Sequence, residues 1–385
     1  MNKNKDLIIG LISSPIAIPN KKQLFNLTKI LSDISSHIYF ITGNAGSDLL
    51  QDNKNADTYS ITYNKVDNKL AKILGYIFLQ IKISFIFLKI AKKANTWIFF
   101  HGSGTLLFPV FTAKILGKKI ILMLPGSSKA LKYSNDPFYP VVKILESINL
   151  KLSTNIIVYS SNLISEWGLS AYRKKILIAH EHFLDFDTFT ITRKYSDRID
   201  IVGYVGRLSE EKGILNLMQA IPDLILWNKK IRILIVGDGK LKNEIKSYLD
   251  EHQLNEYVNL IGWVHYNDLP NYLNLMKLLV LPSYSEGLPN VVLEAMACGT
   301  PVLTTPIGAT LDIVKHNSTG FIMEENSSKC IAENIINAFN YPNIEQIIKN
   351  ASNFVENEFS YENSVNVFEK TLNSIHESQK SNIKF

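Results

Sequence analysis

Leu278-Leu279-Val280-Leu281-Pro282 leads through Ser283-Tyr284 into Ser285-Glu286-Gly287-Leu288-Pro289-Asn290-Val291-Val292-Leu293-Glu294-Ala295-Met296-Ala297-Cys298-Gly299. The first run is apolar, short and bounded by proline, so it reads as a buried strand. Pro289 can occupy the first turn of a helix, where its missing N–H costs nothing. Gly299 can close that helix, and Pro301 cannot continue it. Glu286 then lies in a strand-to-helix loop, and Glu294, eight positions on, about a turn into the helix. A helix start presents unpaired N–H groups and a partial positive charge. The layout suits a ligand that is both polyhydroxylated and anionic, with phosphate at the helix end and hydroxyls on the carboxylates. A sugar nucleotide is such a ligand. The plainer alternative leaves Glu294 offsetting the helix dipole and Glu286 solvated.

The same strand signature recurs on both sides of this segment. Apolar, β-branched runs fall at 7–12, 38–42, 97–100, 120–124, 156–159 and 176–179. A second series falls at 201–205, 231–236, 258–261, 278–281 and 302–305. Helix-like segments separate them. Continuous apolar strands alternating with helices predict an α/β fold with parallel sheets covered on both faces. Residues 183–199 lose this periodicity and collect Asp185, Asp187, Thr190, Arg193, Lys194, Ser196, Asp197 and Arg198. They read as a break between two Rossmann-like domains. The division is 1–190 for the first domain, 199–358 for the second and 359–385 for a C-terminal helix and tail. Ligands of such sheets bind beyond the carboxyl ends of the strands, so two sheets facing each other would place the site in a cleft.

The chain has 385 residues, long enough for two cores. Its net charge of +6 fits phosphate-bearing ligands or an anionic membrane surface. No arginine-rich tract or stacked aromatic and basic pattern points to nucleic acid. The two cysteines, Cys298 and Cys330, indicate a reducing, cytoplasmic compartment rather than a disulfide framework. Lys3 and Lys5 before the first apolar run could mimic a signal peptide, but Asp6 interrupts the basic region and Pro15 breaks the run. Residues 70–93 form the most apolar long stretch, interrupted by Lys72, Lys82, Lys89, Lys92 and Lys93. Packing of this helix on a sheet is the default expectation. The alternative is a membrane interface with lysines near lipid head groups.

Several glycine turns follow the second series of strands. Gly203-Tyr204-Val205-Gly206-Arg207-Leu208-Ser209-Glu210-Glu211-Lys212-Gly213 ends the first. Gly206 permits a tight exit, and Gly213 a close backbone approach as Ile214 starts a helix. Arg207 offers a planar fork to phosphate and Lys212 a mobile point charge. The plainer reading is a surface loop with Lys212 paired to Glu210 or Glu211. Val236-Gly237-Asp238-Gly239 ends the next strand, which is also what a simple βα turn looks like. Gly262-Trp263-Val264 ends a third, where backbone groups could meet a nucleobase, although Trp263 would ordinarily be core. Thr305-Pro306-Ile307-Gly308-Ala309 ends a fifth.

Taken in order and spacing, these motifs resemble the family 4 retaining glycosyltransferases of the GT-B fold. The resemblance is close over 199–325 and architectural before that. It implies two Rossmann-like domains facing across a cleft, with the C-terminal helix packing back on the first. It implies transfer of a sugar from a nucleotide diphosphate donor, UDP- or GDP-linked, to a glycan or lipid-linked acceptor. The anomeric configuration would be kept, and neither metal nor cofactor would be needed. Carried over by position, Arg207 and Lys212 would hold the diphosphate. Glu286 would contact hydroxyls of the donor sugar, and Glu294 those of the ribose. Backbone groups of Gly287, Leu288, Asn290 and Val291 would reach sugar or phosphate, with Gly206, Gly237, Gly262, Trp263 and Val264 lining the donor.

The first domain departs from this pattern. Family members often carry a glycine-rich loop after the first strand, where this chain has Ser13-Ser14-Pro15-Ile16-Ala17-Ile18-Pro19. Many carry a histidine after the strand at 120–124, where this chain has Pro125-Gly126-Ser127-Ser128. His101, in Phe100-His101-Gly102-Ser103-Gly104, ends the preceding strand and could support the acceptor or be purely structural. His180-Glu181-His182 could place two histidines on one strand face as a metal pair, without a further ligand set. The rivals to a transferase are a nucleotide-sugar epimerase and a partner subunit that binds donor without turnover.

Overall fold

A computed structural model describes residues 7–64 and 68–380. Lys3, Lys5 and Asp6, on which the signal-peptide reading turns, lie outside the described residues. The chain divides into two compact units. The first comprises Met1–Ser128, Pro137–Phe183 and Glu362–Phe385, and the second Lys129–Asp136 and Leu184–Tyr361. The sequence division gave 129–136 and 184–190 to the first domain. Those segments group with the second unit instead.

The first unit is built on seven parallel strands. They are β1 (Ile8–Ile12), β2 (His37–Thr42), β3 (Ala56–Ser60), β4 (Thr96–Phe99), β5 (Lys119–Met123), β6 (Asn155–Val158) and β7 (Ile176–Ile178). Their order is β3-β2-β1-β4-β5-β6-β7. The order reverses between β1 and β4, which is where an open α/β sheet presents its ligand crevice. Residues of β1, β4, β5 and β6 are almost wholly buried, as the continuous apolar runs require. The sequence missed β3, because Ala-Asp-Thr-Tyr-Ser has no apolar run and pairs only with β2 at the sheet edge. The C-terminal helix Tyr361–Lys380 returns to this unit, where Ser364 Oγ donates to the His182 carbonyl at 2.8 Å.

The second unit carries six parallel strands. They are β8 (Ile201–Val205), β9 (Arg232–Val236), β10 (Val258–Gly262), β11 (Leu278–Leu281), β12 (Val302–Thr304) and β13 (Phe321–Ile322). Their order is β10-β9-β8-β11-β12-β13, with the reversal between β8 and β11. The sequence missed β13, two residues long and too short for a periodic signal. Helices Ile214–Trp227 and Ser328–Phe339 pack together, and their buried faces join one apolar core with β8, β9 and β11.

Three sequence features take on a different meaning in the structure. The polar stretch 183–199, read as the break between domains, buries Arg198. Its guanidinium donates to the carbonyls of Met276 and Cys298 at 2.8 Å each and to Thr300 Oγ1 at 2.7 Å. His180, Glu181 and His182 do not share a strand face, because β7 stops at Ile178. The long apolar stretch forms the expected helix, Lys69–Ile90, and packs on the sheet through one stripe only, leaving the rest of its apolar surface uncovered. Only the stripe Leu79, Gln80, Ile83, Phe87 and Ile90 is buried.

Candidate functional site

The site in the second unit grows from the loops at the β8/β11 reversal. β8 ends at Val205, and its loop runs to the helix Ile214–Trp227. β11 ends at Leu281, and its loop runs to the helix Asn290–Ala297. The two loops are in backbone contact. Gly213 has φ +65°, and a Cβ there would fall 1.9 Å from the Pro282 carbonyl oxygen. Only glycine satisfies both the left-handed backbone and the contact. Tyr284 N–H donates to the Glu211 carbonyl at 2.9 Å, which stitches the same two loops.

That contact brings together the two charges that the sequence left apart. Lys212 Nζ lies 2.7 Å from Glu286 Oε1 and 2.8 Å from Oε2. Glu286 also accepts from Ser283 Oγ at 2.8 Å and is only 8% exposed. The plainer alternative, Lys212 paired with Glu210 or Glu211, does not occur. Glu210 meets Lys240 at 2.6 Å, and Glu211 accepts from Ser209 Oγ at 2.6 Å and from Arg207 at 3.5 Å. Glu211 is a residue that sequence reasoning missed as a positioning group. Its signal was the placement one residue before Lys212, which also reads as an ordinary charged turn. The Arg207 side chain is 66% exposed, so its guanidinium remains open to an anion.

The β8 loop is held from its other side by the β9 loop. Gly206 N–H donates to the Val236 carbonyl at 3.0 Å, and Leu208 N–H to that of Asp238 at 3.0 Å. Gly237 has φ +143°, and a Cβ there would lie 1.8 Å from the Gly206 carbonyl oxygen. Gly237 N–H reaches the Gly262 carbonyl at the end of β10, at 2.7 Å. Trp263 follows and is not core. It is 58% exposed, with its ring edge-on to His265 at 4.6 Å. Val264 is half-buried.

Pro289 sits just before the helix Asn290–Ala297 rather than inside its first turn, with extended backbone. No side chain caps this start. The N–H groups of Asn290 and Val291 fall in the first turn, where helix geometry offers no internal acceptor. Leu288 is buried and anchors the loop. Gly287 accepts from Ala309 N–H at 2.9 Å, which holds the 305–309 turn against it. Glu294 lies inside the helix and is buried. Burial pushes the Cys298 thiol up to about 12, and the nearby Glu294 carboxylate adds to the rise. The same carboxylate helps to raise the Tyr266 hydroxyl, after burial. Tyr284 and Tyr133 stack at 5.7 Å beside the β11 loop, and neither was read from the sequence.

The first unit has its own reversal point, with different chemistry. Ser14 N–H, after β1, donates to the His101 carbonyl, after β4, at 2.8 Å. Burial lowers the His101 pKa to about 4, against a smaller opposing effect from the Asn20 backbone. The imidazole is therefore neutral near pH 7. Its Nε2 is buried without a hydrogen-bond partner among the described residues. Tyr159, just after β6, donates its Oη to Oε1 of Glu181, which lies beyond β7, at 2.8 Å. Burial pushes Glu181 up to about 8, so the buried acid is mostly neutral near pH 7. Among the described residues no three His, Cys, Asp or Glu side chains converge as a metal site.

Comparison with known proteins bears on the second unit most directly. Residues 190–357 match the family described as glycosyl transferases group 1. Over 236 residues the chain is 30% identical to the capsular polysaccharide biosynthesis glycosyltransferase CapM of Staphylococcus aureus, covering 58% of this chain and 62% of that one. It is 32% identical over 160 residues to an Escherichia coli UDP-Gal:alpha-D-GlcNAc-diphosphoundecaprenol alpha-1,3-galactosyltransferase, covering 40% and 41%. The matched regions thus span from two fifths to about three fifths of these relatives. Among solved structures, HepE of Anabaena in complex with UDP superposes with a TM-score of 0.74 at 17% identity, covering 96% of this chain and all of that one. TarM superposes with a TM-score of 0.74 at 14% identity. The chain has the GT-B fold and resembles the group 1 glycosyl transferases.

Proposed function

We propose that this GT-B chain is a retaining glycosyltransferase. It moves a sugar from a nucleotide diphosphate donor, UDP- or GDP-linked, to a glycan or lipid-linked acceptor. The observation that carries this reading is the Lys212–Glu286 pair at the β8/β11 reversal, beside exposed Arg207 and an uncapped helix start. It lies within the segment matched by the glycosyl transferase family.

The roles follow from charge and position. Arg207 and Lys212 neutralise the diphosphate as the sugar–oxygen bond breaks, with the first-turn N–H groups of Asn290 and Val291 adding to the positive field. Glu286 is tied by Ser283 and Lys212, so its carboxylate is fixed in direction before any sugar hydroxyl arrives. Glu294 takes the ribose hydroxyls. Exposed Trp263, with the Gly262 and Val264 backbone, lines the base. No protein carboxylate is needed as acid or base, because the departing phosphate oxygen takes the acceptor's proton on the same face. The bond to the acceptor oxygen forms as the donor bond breaks, and the nucleotide diphosphate leaves. Neutral His101 marks the reversal point of the first sheet and supports the acceptor.

The test is incubation of the full chain with a panel of nucleotide sugars and glycan or lipid-linked acceptors. Nucleotide diphosphate release that depends on the acceptor, with a product of retained configuration, is expected. Conversion of the donor without acceptor would make the chain an epimerase. Donor binding without turnover on any acceptor would make it a partner subunit.

A further inference from the structure

We propose that the helices Lys69–Ile90, Leu107–Ile115 and Tyr139–Leu152 of the first unit form a docking surface for an anionic lipid bilayer, with Lys69–Ile90 lying in the plane of the interface. This inference is independent of the donor site. Of 25 exposed large hydrophobic side chains among the described residues, 15 lie on these three helices or at the end of the second. They include Phe78 at 57% and Phe85 at 59% exposed on the first helix, Phe111 and Ile115 on the second, and Val141 and Ile144 on the third. Soluble monomers rarely leave so much contiguous apolar surface in water. The first helix packs against the second and the second against the third, so the exposed residues belong to one layer.

Charge selects the occupant. Lys69–Lys93 holds six lysines and no acidic residue. The second helix adds Lys114, and the third adds Lys143 and Lys151 against a single Glu146. These segments total +8, whereas the whole chain is +6. Glu146 is itself engaged, accepting from Ser128 Oγ at 2.6 Å. Lys82 lies over the Phe78 ring at 4.6 Å and Lys89 over the Phe85 ring at 4.4 Å. An aromatic ring with an ammonium at its face suits the head-group zone, where the ring meets acyl chains and the charge meets lipid phosphate. A second copy of this face would oppose lysine to lysine across a two-fold axis, with Glu146, already held by Ser128, as the single carboxylate to relieve it.

The helix is also long and apolar enough to cross a membrane, with a mean hydropathy of 1.8 over its best 18 residues. It is stapled to the unit along its length instead. Tyr76 Oη bonds Thr105 Oγ1 at 2.6 Å, Gln80 Oε1 accepts from Phe108 N–H at 3.1 Å, and Phe87 packs edge-on against buried Trp97 at 4.6 Å. Lys72 and Lys82 interrupt the exposed surface well inside the segment. Both features fit a helix lying on a bilayer rather than through it.

The experiment is flotation of the full chain with vesicles of phosphatidylcholine alone or of equal parts phosphatidylcholine and phosphatidylglycerol. Binding to the anionic vesicles only, released by high salt, is expected. Phe78→Ser with Phe85→Ser weakens that binding at least about tenfold. Lys82→Glu with Lys89→Glu weakens it by a similar factor. All four side chains are exposed, so the melting temperature should stay at the wild-type value. If the phenylalanine variant does not fold, the lysine variant and the salt series decide. Equal binding to both vesicles, or no binding to either, overturns the proposal. Resistance to alkaline carbonate extraction replaces it with a spanning helix. A dimer dispersed by the same variants replaces it with a second copy of the chain.

Discussion

The two sheets share a strand order around their reversal points yet place opposite chemistry there. The second unit sets a cation and a carboxylate in direct contact, with an exposed arginine alongside. At the first unit's reversal point sits His101, held neutral near pH 7 by burial. Elsewhere in that unit Glu181 is held mostly neutral in the same way. The outer helices differ too. Ile214–Trp227 buries its apolar face and of its large apolar side chains strongly exposes Leu226 alone, whereas Lys69–Ile90 leaves most of its large apolar side chains in solvent. A shared topology therefore fixes where a ligand can sit, while the loop and helix sequences fix which ligand. Under the proposed function, the charged reversal point suits a nucleotide diphosphate and the neutral one an uncharged acceptor hydroxyl.

The sharpest way to break this contrast is to remove the charge from the second unit. Lys212→Ala should lower kcat/KM with the competent donor by about 10²–10³, as for loss of one preorganised donor to a developing charge. Steady-state kinetics measures this, and a change below twofold would remove Lys212 from the site. The next prediction concerns the neutral side. Glu181 has a folded pKa of about 8 against an ordinary 4.5, so the folded chain keeps a proton that the unfolded chain releases between those values. Its contribution to stability is complete below about pH 4.5 and is lost as pH rises through 8. Glu181→Gln should be close to neutral at pH 5. At pH 8.5 it should stabilise by something on the order of 1–3 kcal/mol, read from denaturant midpoints. A variant with the wild-type pH dependence would contradict the neutral-acid assignment.

Smaller effects follow from exposed groups. Arg207→Ala should raise KM for the donor about tenfold, with less effect on kcat, because the guanidinium contributes one solvated charge-assisted contact. Trp263→Ala should weaken donor binding only a fewfold, the value of one exposed stacking contact. If Trp263→Ala cost more than Lys212→Ala, the base rather than the diphosphate would dominate recognition.

Much of the second unit was legible in the sequence because its strands are buried on both faces and its turns need glycine. β8 and β11 match their apolar runs residue for residue, and Gly213 and Gly299 hold the left-handed backbones that their positions required. What escaped was relational. The plainer reading paired Lys212 locally, but the Gly213–Pro282 approach gives it Glu286 across the reversal point. Trp263 reads as core by type, yet it follows a strand end that faces solvent. Arg198 reads as part of the break because a charged residue in an aperiodic stretch gives no sign of the carbonyls of Arg193, Met276 and Cys298 and the Thr300 hydroxyl that receive it. The first unit was less legible at its site, since β3 is polar and the Ser13–Ser14 and His101 turns match no strict spacing.

The central claim is that the β8/β11 reversal of the second unit binds a nucleotide diphosphate through Lys212. The most direct measurement is the melting temperature of wild type and Lys212→Ala across saturating titrations of UDP and GDP. The account predicts that at least one nucleotide raises the wild-type melting temperature in a concentration-dependent way and that Lys212→Ala abolishes most of the rise. No rise with either nucleotide, or an equal rise in both proteins, would contradict it.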